Sequence, residues 1–518
     1  MHTVLDPATE EVVTEVESLD AAQVDEAVSR AVAAGPAWRA VAPADRARLL
    51  RRFAAVVDAH VDELAELEVR GAGHTVGNAR WEAGNVRDVL DYYAAAPERL
   101  FGRQIPVAGG MDVTFREPLG VVGIIVPWNF PMPIAGWGFA PALAAGNTVV
   151  LKPAELTPLT ALRLAELGRE AGLPSGVFTV LPGKGSVVGE RLVTHEQVRK
   201  IVFTGSTEVG TRILRQAADQ VKRVTLELGG KSANIVFADA DLEKAAAGVP
   251  AGAFDNAGQD CCARSRILVQ RGAYDRFLEL LEPEVTALRV GSPAKPDVDM
   301  GPLISAGQRD RVRGFVENGA GADGGPVDVA FRGGAPEGPG YWYPPTVVLP
   351  RSTADPVWRE EVFGPVVAVL PFDDEAEAVA SYVPEDAPVA IRGSAPDGPG
   401  YWFPPTVLAP VANDDRAAAE EIFGPVACVI PFDSEADAVR LANETTYGLS
   451  GSIWTRDLGR ALRVARAVES GNLSVNSNSS VRYSTPFGGF KRSGLGRELG
   501  PDALDSFTEV KNVFFADD

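Results

Sequence analysis

The amino-acid sequence predicts an α/β fold built on parallel β-sheets. After residue 120, four short apolar runs alternate with two segments of helical periodicity. Such alternation is typical of parallel strands joined by right-handed helical crossovers. The chain has 518 residues, 46% of them hydrophobic and 23% charged, which is enough for two or three domains with a large core.

The individual elements follow from local patterns. From Ala21 to about Tyr93 the chain is rich in Ala, Arg, Glu and Leu at helical spacing, and Asp20 is suited to cap the first helix. The predicted strands are Gly120 to Val126, Asn147 to Leu151, Val177 to Leu181 and Lys200 to Phe203, and the predicted helices between them are Leu159 to Ala171 and Val187 to Thr194.

One stretch has the length of a membrane span, because no charged residue occurs between Glu117 and Lys152. Prolines and glycines interrupt it, among them Pro127, Pro131, Pro133, Pro141, Gly136, Gly138 and Gly146, so we expect buried strand, loop and helix instead. The net charge of −21 disfavours nucleic acid and anionic lipid as partners. With three cysteines and no basic-then-apolar segment at the start, the sequence predicts a cytoplasmic protein.

Two residues are candidates for covalent chemistry. Cys261 lies in the segment NAGQDCC, and Glu227 begins the upstream segment ELGGK. A cysteine in such a setting is a candidate nucleophile, and the glutamate could serve as its base or activate water. Taken singly, a packing cysteine and a solvated glutamate are the ordinary alternatives.

Candidate cofactor residues follow two of the predicted strands. Lys152 and Glu155 come at the end of one strand, where a ribose could be held. Gly205 and Ser206 follow another strand and open a helix, whose N-terminus can bind phosphate. The glycine spacing is not the usual dinucleotide fingerprint, so a plain strand-to-helix turn remains the alternative.

Seven ordered motifs resemble those of the aldehyde dehydrogenase superfamily, and they cover nearly the whole chain. They are Pro127–Pro131, Lys152–Glu155, Phe203–Ser206, Glu227–Lys231, Gly258–Cys261, Glu421–Pro425 and Pro486–Gly489. The resemblance implies a Rossmann-type cofactor domain, an α/β catalytic domain and a small β oligomerisation element. The corresponding ranges are 1–110 with 120–228, then 229–500, and finally 111–119 with 501–518. It also implies a homodimer or homotetramer.

The resemblance further implies a mechanism. Cys261 would attack the aldehyde carbon, and the Asn129 amide would stabilise the oxyanion. Hydride transfer to NAD would leave a thioester, which water activated by Glu227 would hydrolyse. The implied cofactor residues are Trp128, Lys152, Glu155, Gly205, Ser206, Glu421 and Phe423, and those lining an apolar substrate tunnel are Phe130, Ile134 and Trp137. Glu155 would repel a 2′-phosphate and so favours NAD over NADP.

Rival chemistries have weaker support. A Cys–His hydrolase needs an imidazole, but none of the four histidines lies in a motif around the cysteine. No metal-ligand cluster is visible in the sequence, so no metal is expected. The CoA-acylating branch of the superfamily usually lacks a glutamate at the position of Glu227, so release of a free acid is favoured. The type of aldehyde, whether aliphatic, aromatic or amino-aldehyde, stays open.

An internal repeat distinguishes this chain from the family pattern. Residues 331–380 and 391–440 are identical at 29 of 50 positions, with a constant offset of 60. Glu361 and Phe363 therefore recur as Glu421 and Phe423, and only one pair can occupy a nicotinamide-ribose site. The helical pattern that continues after the second copy favours Glu421 and Phe423, whereas prolines interrupt the first copy. The first copy keeps the usual distance from Cys261 and remains the alternative.

Two functions from different classes fit these observations. The first is an active, hydrolytic, NAD-dependent aldehyde dehydrogenase, which Cys261, Glu227 and Asn129 favour. The second is a catalytically impaired relative that acts as a binding or structural protein through its duplicated segment.

Overall fold

The computed structural model describes residues 1–230, 232–236, 240–264, 266–317, 327–350, 355–372, 389–392, 406–408, 439, 443, 447–477 and 481–517. The N-terminal part is a hairpin followed by helices, namely β1 His2–Leu5, β2 Val12–Val16, α1 Ala21–Ala40, α2 Pro43–Ala59, α3 Val61–Ala72 and α4 Val76–Ala94. Asp20 caps α1 as predicted, because its carboxylate accepts from Gln23 N at 2.9 Å.

After the N-terminal helices come two strands of a separate small sheet, β3 Gln104–Val107 and β4 Gly110–Pro118. The first large sheet is then built by alternating strands and helices. They are β5 Val121–Ile125, α5 Pro131–Ala144, β6 Thr148–Lys152, α6 Leu159–Glu170, β7 Phe178–Val180, α7 Glu190–Thr194, β8 Val198–Thr204, α8 Thr207–Ala218 and β9 Arg223–Glu227. Strands β9, β8, β5, β6 and β7 are parallel neighbours in that order. Their carboxyl ends therefore lie along one edge, and the predicted α/β class is confirmed.

The second large sheet has seven strands, all of which follow Glu227 in the chain. Its elements and their neighbours are β10 Ala233–Val236, α9 Leu242–Ala247, β11 Arg266–Gln270, α10 Arg271–Thr286, α11 Ala306–Glu317, β12 Asp328–Arg332, β13 Thr346–Leu349, α12 Pro356–Arg359, β14 Val366–Phe372, β15 Val389–Arg392, β16 Thr406–Leu408, β17 Tyr447–Gly448, β18 Ser450–Trp454, α13 Leu458–Ala467 and β19 Asn472–Val475. The strand order is β12-β13-β14-β11-β10-β18-β19, and β15 and β16 form a separate hairpin.

The remaining strands are β20 Phe490–Lys491, β21 Gly494–Leu495 and β22 Thr508–Ala516. β21 pairs with β9 and so ties the C-terminal part to the first sheet. β22 pairs with β4 in an antiparallel ladder in which Met111 faces Phe515, and β3 completes a three-stranded sheet. The two segments assigned to oligomerisation are thus adjacent, while their role in assembly stays a prediction.

The uncharged stretch before Lys152 forms β5, α5 and β6, and every residue of these three elements is buried. Among the described residues, no helix is long and apolar enough to cross a membrane. The predicted helix from Val187 is shorter than expected. Its first turn, Gly185–Gly189, is π-helical, and the α-helix begins at Glu190.

Candidate active site

The loop that carries Cys261 has a strained backbone. Asn256, Ala257 and Gly258 have φ angles of 48°, 53° and 70°, so three consecutive residues are left-handed and two of them are not glycine. A Cβ atom at Gly258 would lie 2.1 Å from the carbonyl oxygen of Gly364. The loop therefore packs directly against the first copy of the repeat, and a side chain at position 258 would separate the two.

Cys261 is partly buried and its neighbour Cys262 is buried, with 4.0 Å between the two Sγ atoms. The pKa of the Cys261 thiol is raised well above its usual value. The causes are the hydrogen bond with Cys262, then burial, then electrostatic repulsion from the neighbouring Cys262, Asp260 and Glu361. The resting thiol is protonated, so a nucleophilic role requires that a base remove its proton.

Glu227 is the last residue of β9 and is only 2% exposed. Burial raises the pKa of its carboxyl well above the usual value, and the charge of Glu498 adds to this, while Arg497 opposes it. A Cβ at Gly488 would lie 2.7 Å from Glu227 Oε1, so this glycine leaves room for the carboxyl. A carboxylate that is costly to ionise is a strong base once it has lost its proton.

Behind Glu227 lie two buried ionisable residues that the sequence reasoning missed, Glu498 and Lys200. Burial raises the pKa of Glu498 to about 7, opposed by the charge of Lys200. Burial lowers the pKa of Lys200 to about 8, and its Nζ donates to Thr225 Oγ1 at 2.6 Å. Neither residue lies in a local motif that would distinguish it, since their proximity depends on the packing of β8 against the C-terminal segment.

We expect the replacement Glu498→Gln to change the pH dependence of stability. The folded pKa of Glu498, about 7, exceeds its ordinary value of 4.5, so its contribution to stability is complete below pH 4.5 and is lost as pH rises through 7. Glutamine mimics the protonated carboxyl at every pH. The variant should therefore gain on the order of 1–3 kcal/mol relative to the parent between pH 5 and pH 7.5. Urea unfolding at both pH values measures this, and a constant difference would contradict it.

Asn129 lies in the turn between β5 and α5 and contacts the cysteine loop. Its side-chain Nδ2 donates to the carbonyl oxygen of Gln259 at 3.0 Å, and its own carbonyl accepts from Asn256 Nδ2 at 2.8 Å. Asn129 is 5% exposed. The structure therefore places a neutral amide donor beside the loop of Cys261, where it could donate to an oxyanion.

The candidate ribose-binding residues Lys152 and Glu155 lie at the end of β6, as predicted. Lys152 ends the strand and is buried, and its Nζ donates to the carbonyl of Pro153 at 2.7 Å. Burial lowers the pKa of Lys152, while the charge of Glu155 opposes this. Glu155 Oε1 accepts from the main-chain N–H of Gly185 at 2.9 Å. The sequence reasoning did not identify Gly185, which brings a second loop to the end of β6.

The turn after β8 opens a helix, as predicted. Ser206 is the N-cap of α8, and its Oγ accepts from Val209 N at 3.3 Å. Gly205 N donates to the Glu227 carbonyl at 3.0 Å, which joins this turn to the strand that carries the candidate base. The N-terminus of α8 thus lies at the same sheet edge as Lys152.

The first copy of the repeat reaches the site. Glu361 Oε1 accepts from Gly230 N at 3.3 Å, and the ring of Phe363 meets Trp128 edge-on with 5.2 Å between centroids. Glu421 and Phe423, which the sequence favoured, lie outside the described residues, so that prediction stays untested.

The candidate substrate residues lie on and before α5. Phe130 is partly buried, and Ile134 and Trp137 are 6% and 9% exposed. Trp137 Nε1 donates to Asn85 Oδ1 at 2.8 Å, and its ring packs against Phe487 with 5.5 Å between centroids. These contacts fix the indole, so any tunnel wall that it forms is rigid.

Residues 1–387 and 379–513 match the model of the aldehyde dehydrogenase family. The chain belongs to this family. An aldehyde dehydrogenase of Emericella nidulans is 38% identical over 516 residues, which are 99% of this chain and 91% of that protein. Among solved structures, the NAD-dependent aldehyde dehydrogenase of Sinorhizobium meliloti has a TM-score of 0.84 at 35% identity, covering all of this chain and 91% of that one.

A third relative differs in its cofactor. The structure of an NADP-dependent enzyme of E. coli also has a TM-score of 0.84, at 33% identity, covering 99% of this chain and 94% of that one. The aldehyde dehydrogenase fold expected from the seven motifs is thus confirmed. The family model matches in two stretches that overlap at residues 379–387, from the end of the first copy of the repeat to just before the second.

Proposed function

We propose that this aldehyde dehydrogenase oxidises an aldehyde to the free carboxylic acid, with Cys261 as nucleophile. The observation that carries the proposal is that a partly buried thiol at Cys261, a buried carboxyl at Glu227 and the amide of Asn129 lie around one loop. Attack by the Cys261 thiolate gives a thiohemiacetal whose oxyanion the Asn129 amide stabilises. After oxidation, the acyl group remains on sulfur as a thioester.

Glu227 then takes a proton from water, which attacks the thioester carbon and releases the acid and the Cys261 thiolate. The residues at the sheet edge fit a dinucleotide, because the N-terminus of α8 can hold phosphate and a carboxylate at Glu155 can accept from ribose hydroxyls. When bound, NAD supplies the hydride acceptor. Glu155 would repel a 2′-phosphate, which supports NAD over NADP as the cofactor of this chain.

Turnover by the purified protein tests this function. With NAD and a panel of aliphatic, aromatic and amino-aldehydes, we expect one NADH and one free carboxylic acid per aldehyde consumed. Substitution of NADP for NAD should lower the rate. Binding of NAD without turnover of any aldehyde would favour the alternative, a catalytically impaired relative that acts as a binding or structural protein.

We infer that the first copy of the repeat, residues 331–380, builds the catalytic site, contrary to the preference for Glu421 and Phe423. Trp358 of the first copy is fully buried, and the equivalent residue of the second copy is Ala418. If the second copy filled the same space, it would leave a cavity the size of an indole, at a cost of about 3–5 kcal/mol.

Contacts with the N-terminal hairpin also support the first copy. Gly340 N donates to Glu10 Oε1 at 3.0 Å, and Tyr341 N donates to the Pro7 carbonyl at 2.9 Å. The equivalents Gly400 and Tyr401 could make these contacts only by displacing the first copy, because a single hairpin is shared. The second copy would then be an insertion in the catalytic domain.

The repeat offers a matched pair of variants for this inference. Glu361→Gln should lower kcat/KM for NAD by roughly 10- to 100-fold, the effect of losing a hydrogen bond to a charged group. Glu421→Gln should leave kcat/KM for NAD at the parent value. The opposite result, a lower kcat/KM for NAD in Glu421→Gln alone, would mean that the second copy forms the site.

We also propose the domain boundaries given above. In the same proposal the protein is a homodimer or homotetramer and is located in the cytoplasm. The sheet formed by β3, β4 and β22 exposes Phe115, Val510 and Phe514, an apolar surface that subunit contacts would cover. The free thiols of Cys261 and Cys262 fit a reducing compartment.

A further inference from the structure

Three ionisable side chains lie buried together below the turn that carries Asn129, and the proposed reaction does not use them. Glu68 in α3, His74 between α3 and α4, and Glu82 in α4 are 1%, 3% and 0% exposed. Buried ionisable groups are costly unless each finds a partner or becomes neutral. The cost of burying Glu68, His74 and Glu82 suggests that their contacts have a structural role.

The contacts of His74 run from the carboxyls to the active-site turn. His74 Nδ1 lies 2.6 Å from Glu82 Oε1 and 3.7 Å from Glu68 Oε1. The imidazole meets the ring of Phe130 edge-on, with 5.8 Å between centroids. The main chain of Asn129 also faces the imidazole and acts to raise the pKa of His74. Because Nδ1 faces Glu82, the nitrogen left for Asn129 is Nε2.

The turn that carries Asn129 is contacted both by the cysteine loop and by His74. Asn256 of the cysteine loop donates to the Asn129 carbonyl at 2.8 Å, and the Asn129 amide donates to the Gln259 carbonyl at 3.0 Å. Both of these contacts come from the cysteine loop, which has the strained φ angles described above. His74 approaches the same turn from the segment between α3 and α4 and contacts the adjacent Phe130 ring.

We propose that His74 is a positioning residue for the reaction, which accepts a hydrogen bond from the protonated carboxyl of Glu82 at Nδ1 and donates from Nε2 to the Asn129 carbonyl. In this way it holds the Asn129 amide where the oxyanion forms. The inference rests on the proposed role of Asn129 in aldehyde oxidation.

The charges around His74 fit this arrangement of protons. Burial lowers the pKa of His74, while the charges of Glu68 and Asp255 and the main chain of Asn129 oppose this. Burial raises the pKa of Glu82 well above its usual value, with Asp255 adding to the effect, and the pKa of Glu68 is raised to about 8. Imidazole and both carboxyls are therefore neutral near pH 7, so Glu82 carries the proton that Nδ1 accepts.

Replacement of His74 tests the proposal, with His195 as a matched buried histidine that is 7% exposed and has Asp25 as its neighbour. Loss of a single oxyanion donor costs about 10²–10³ in kcat, so misplacing it should cost part of that. We expect His74→Ala to lower kcat about 10- to 100-fold, with the Kd for NAD unchanged. His195→Ala should keep the parent kcat even where its Tm falls.

Two substitutions of Glu82 distinguish positioning from packing. The amide of Glu82→Gln can donate to Nδ1 as the protonated carboxyl does, so kcat should stay at the parent value. Glu82→Ala should lower kcat as His74→Ala does. Equal losses in both Glu82 variants would overturn the proposal, because they would mean that a charged carboxylate is required.

The outcomes also separate this inference from the proposed function. If the parent turns over aldehyde and folded His74→Ala keeps its kcat, the positioning role fails alone. If His74→Ala does not fold, the comparison of Glu82→Gln with Glu82→Ala decides. A parent without turnover would overturn both proposals.

Discussion

Replacing Cys261 by alanine is expected to lower NADH formation by at least about 10⁴-fold, because the proposed acyl intermediate is bound to the Cys261 sulfur. The variant should still bind NAD, since the candidate cofactor residues at the end of β6 and at the start of α8 are unchanged. The measurement is NADH absorbance during aldehyde turnover, together with NAD affinity by fluorescence titration.

Cys262 provides the matched control for this prediction. Its Sγ lies 4.0 Å from that of Cys261, but it is buried at 6% exposure and packs in the core. Cys262→Ala should retain turnover. It should also lower the pKa of Cys261, because the hydrogen bond between the two thiols is the largest cause that raises this pKa. Turnover that survives Cys261→Ala but not Cys262→Ala would assign the nucleophile to the neighbour.

Replacing Glu227 by glutamine should separate the two halves of the reaction. Hydride transfer precedes hydrolysis, so the variant should release about one NADH per active site in a burst and then turn over about 10²- to 10⁴-fold more slowly. Rapid-quench kinetics measures the burst, and mass spectrometry of the quenched protein should detect an acyl group on Cys261. The double variant Cys261→Ala, Glu227→Gln should show neither burst nor adduct.

A different result would reassign Glu227. If the first turnover slows as much as the later ones and no adduct accumulates, the carboxylate acts chiefly as the base that deprotonates Cys261. The raised pKa of that thiol makes this role chemically reasonable.

Local sequence patterns predicted the elements that depend on nearby residues. The strand predicted at Asn147–Leu151 occurs as Thr148–Lys152, and the capping role of Asp20 is confirmed, because strand periodicity and helix caps depend on adjacent positions. Cys261 and Asn129 were predicted as site residues because each lies in a motif that resembles those of the family. Their proximity could not be derived from spacing, since 132 residues separate them (261 − 129).

Other features needed the tertiary structure. Glu498 and Lys200 are 298 residues apart (498 − 200), and no local pattern marks either of them. Nothing near His74 in the sequence indicates that two carboxyls and the turn carrying Asn129 lie close to it. Helical continuity also favoured the second copy of the repeat, whereas the fit of Trp358 in the core favours the first. Packing volume can distinguish two copies whose motifs are nearly the same.

The hairpin formed by β15 and β16 bears on how the chain reaches its native state. It repeats the pairing of β12 with β13 at every aligned position, including a bulge between Val389 and Ile391 that matches the one between Val329 and Phe331. A folding chain therefore has two hairpins of equal register that compete for one sheet edge. During synthesis the first emerges earlier and can dock before its competitor exists. Refolding from denaturant removes that order, so we expect a slow phase in which wrongly docked molecules exchange hairpins.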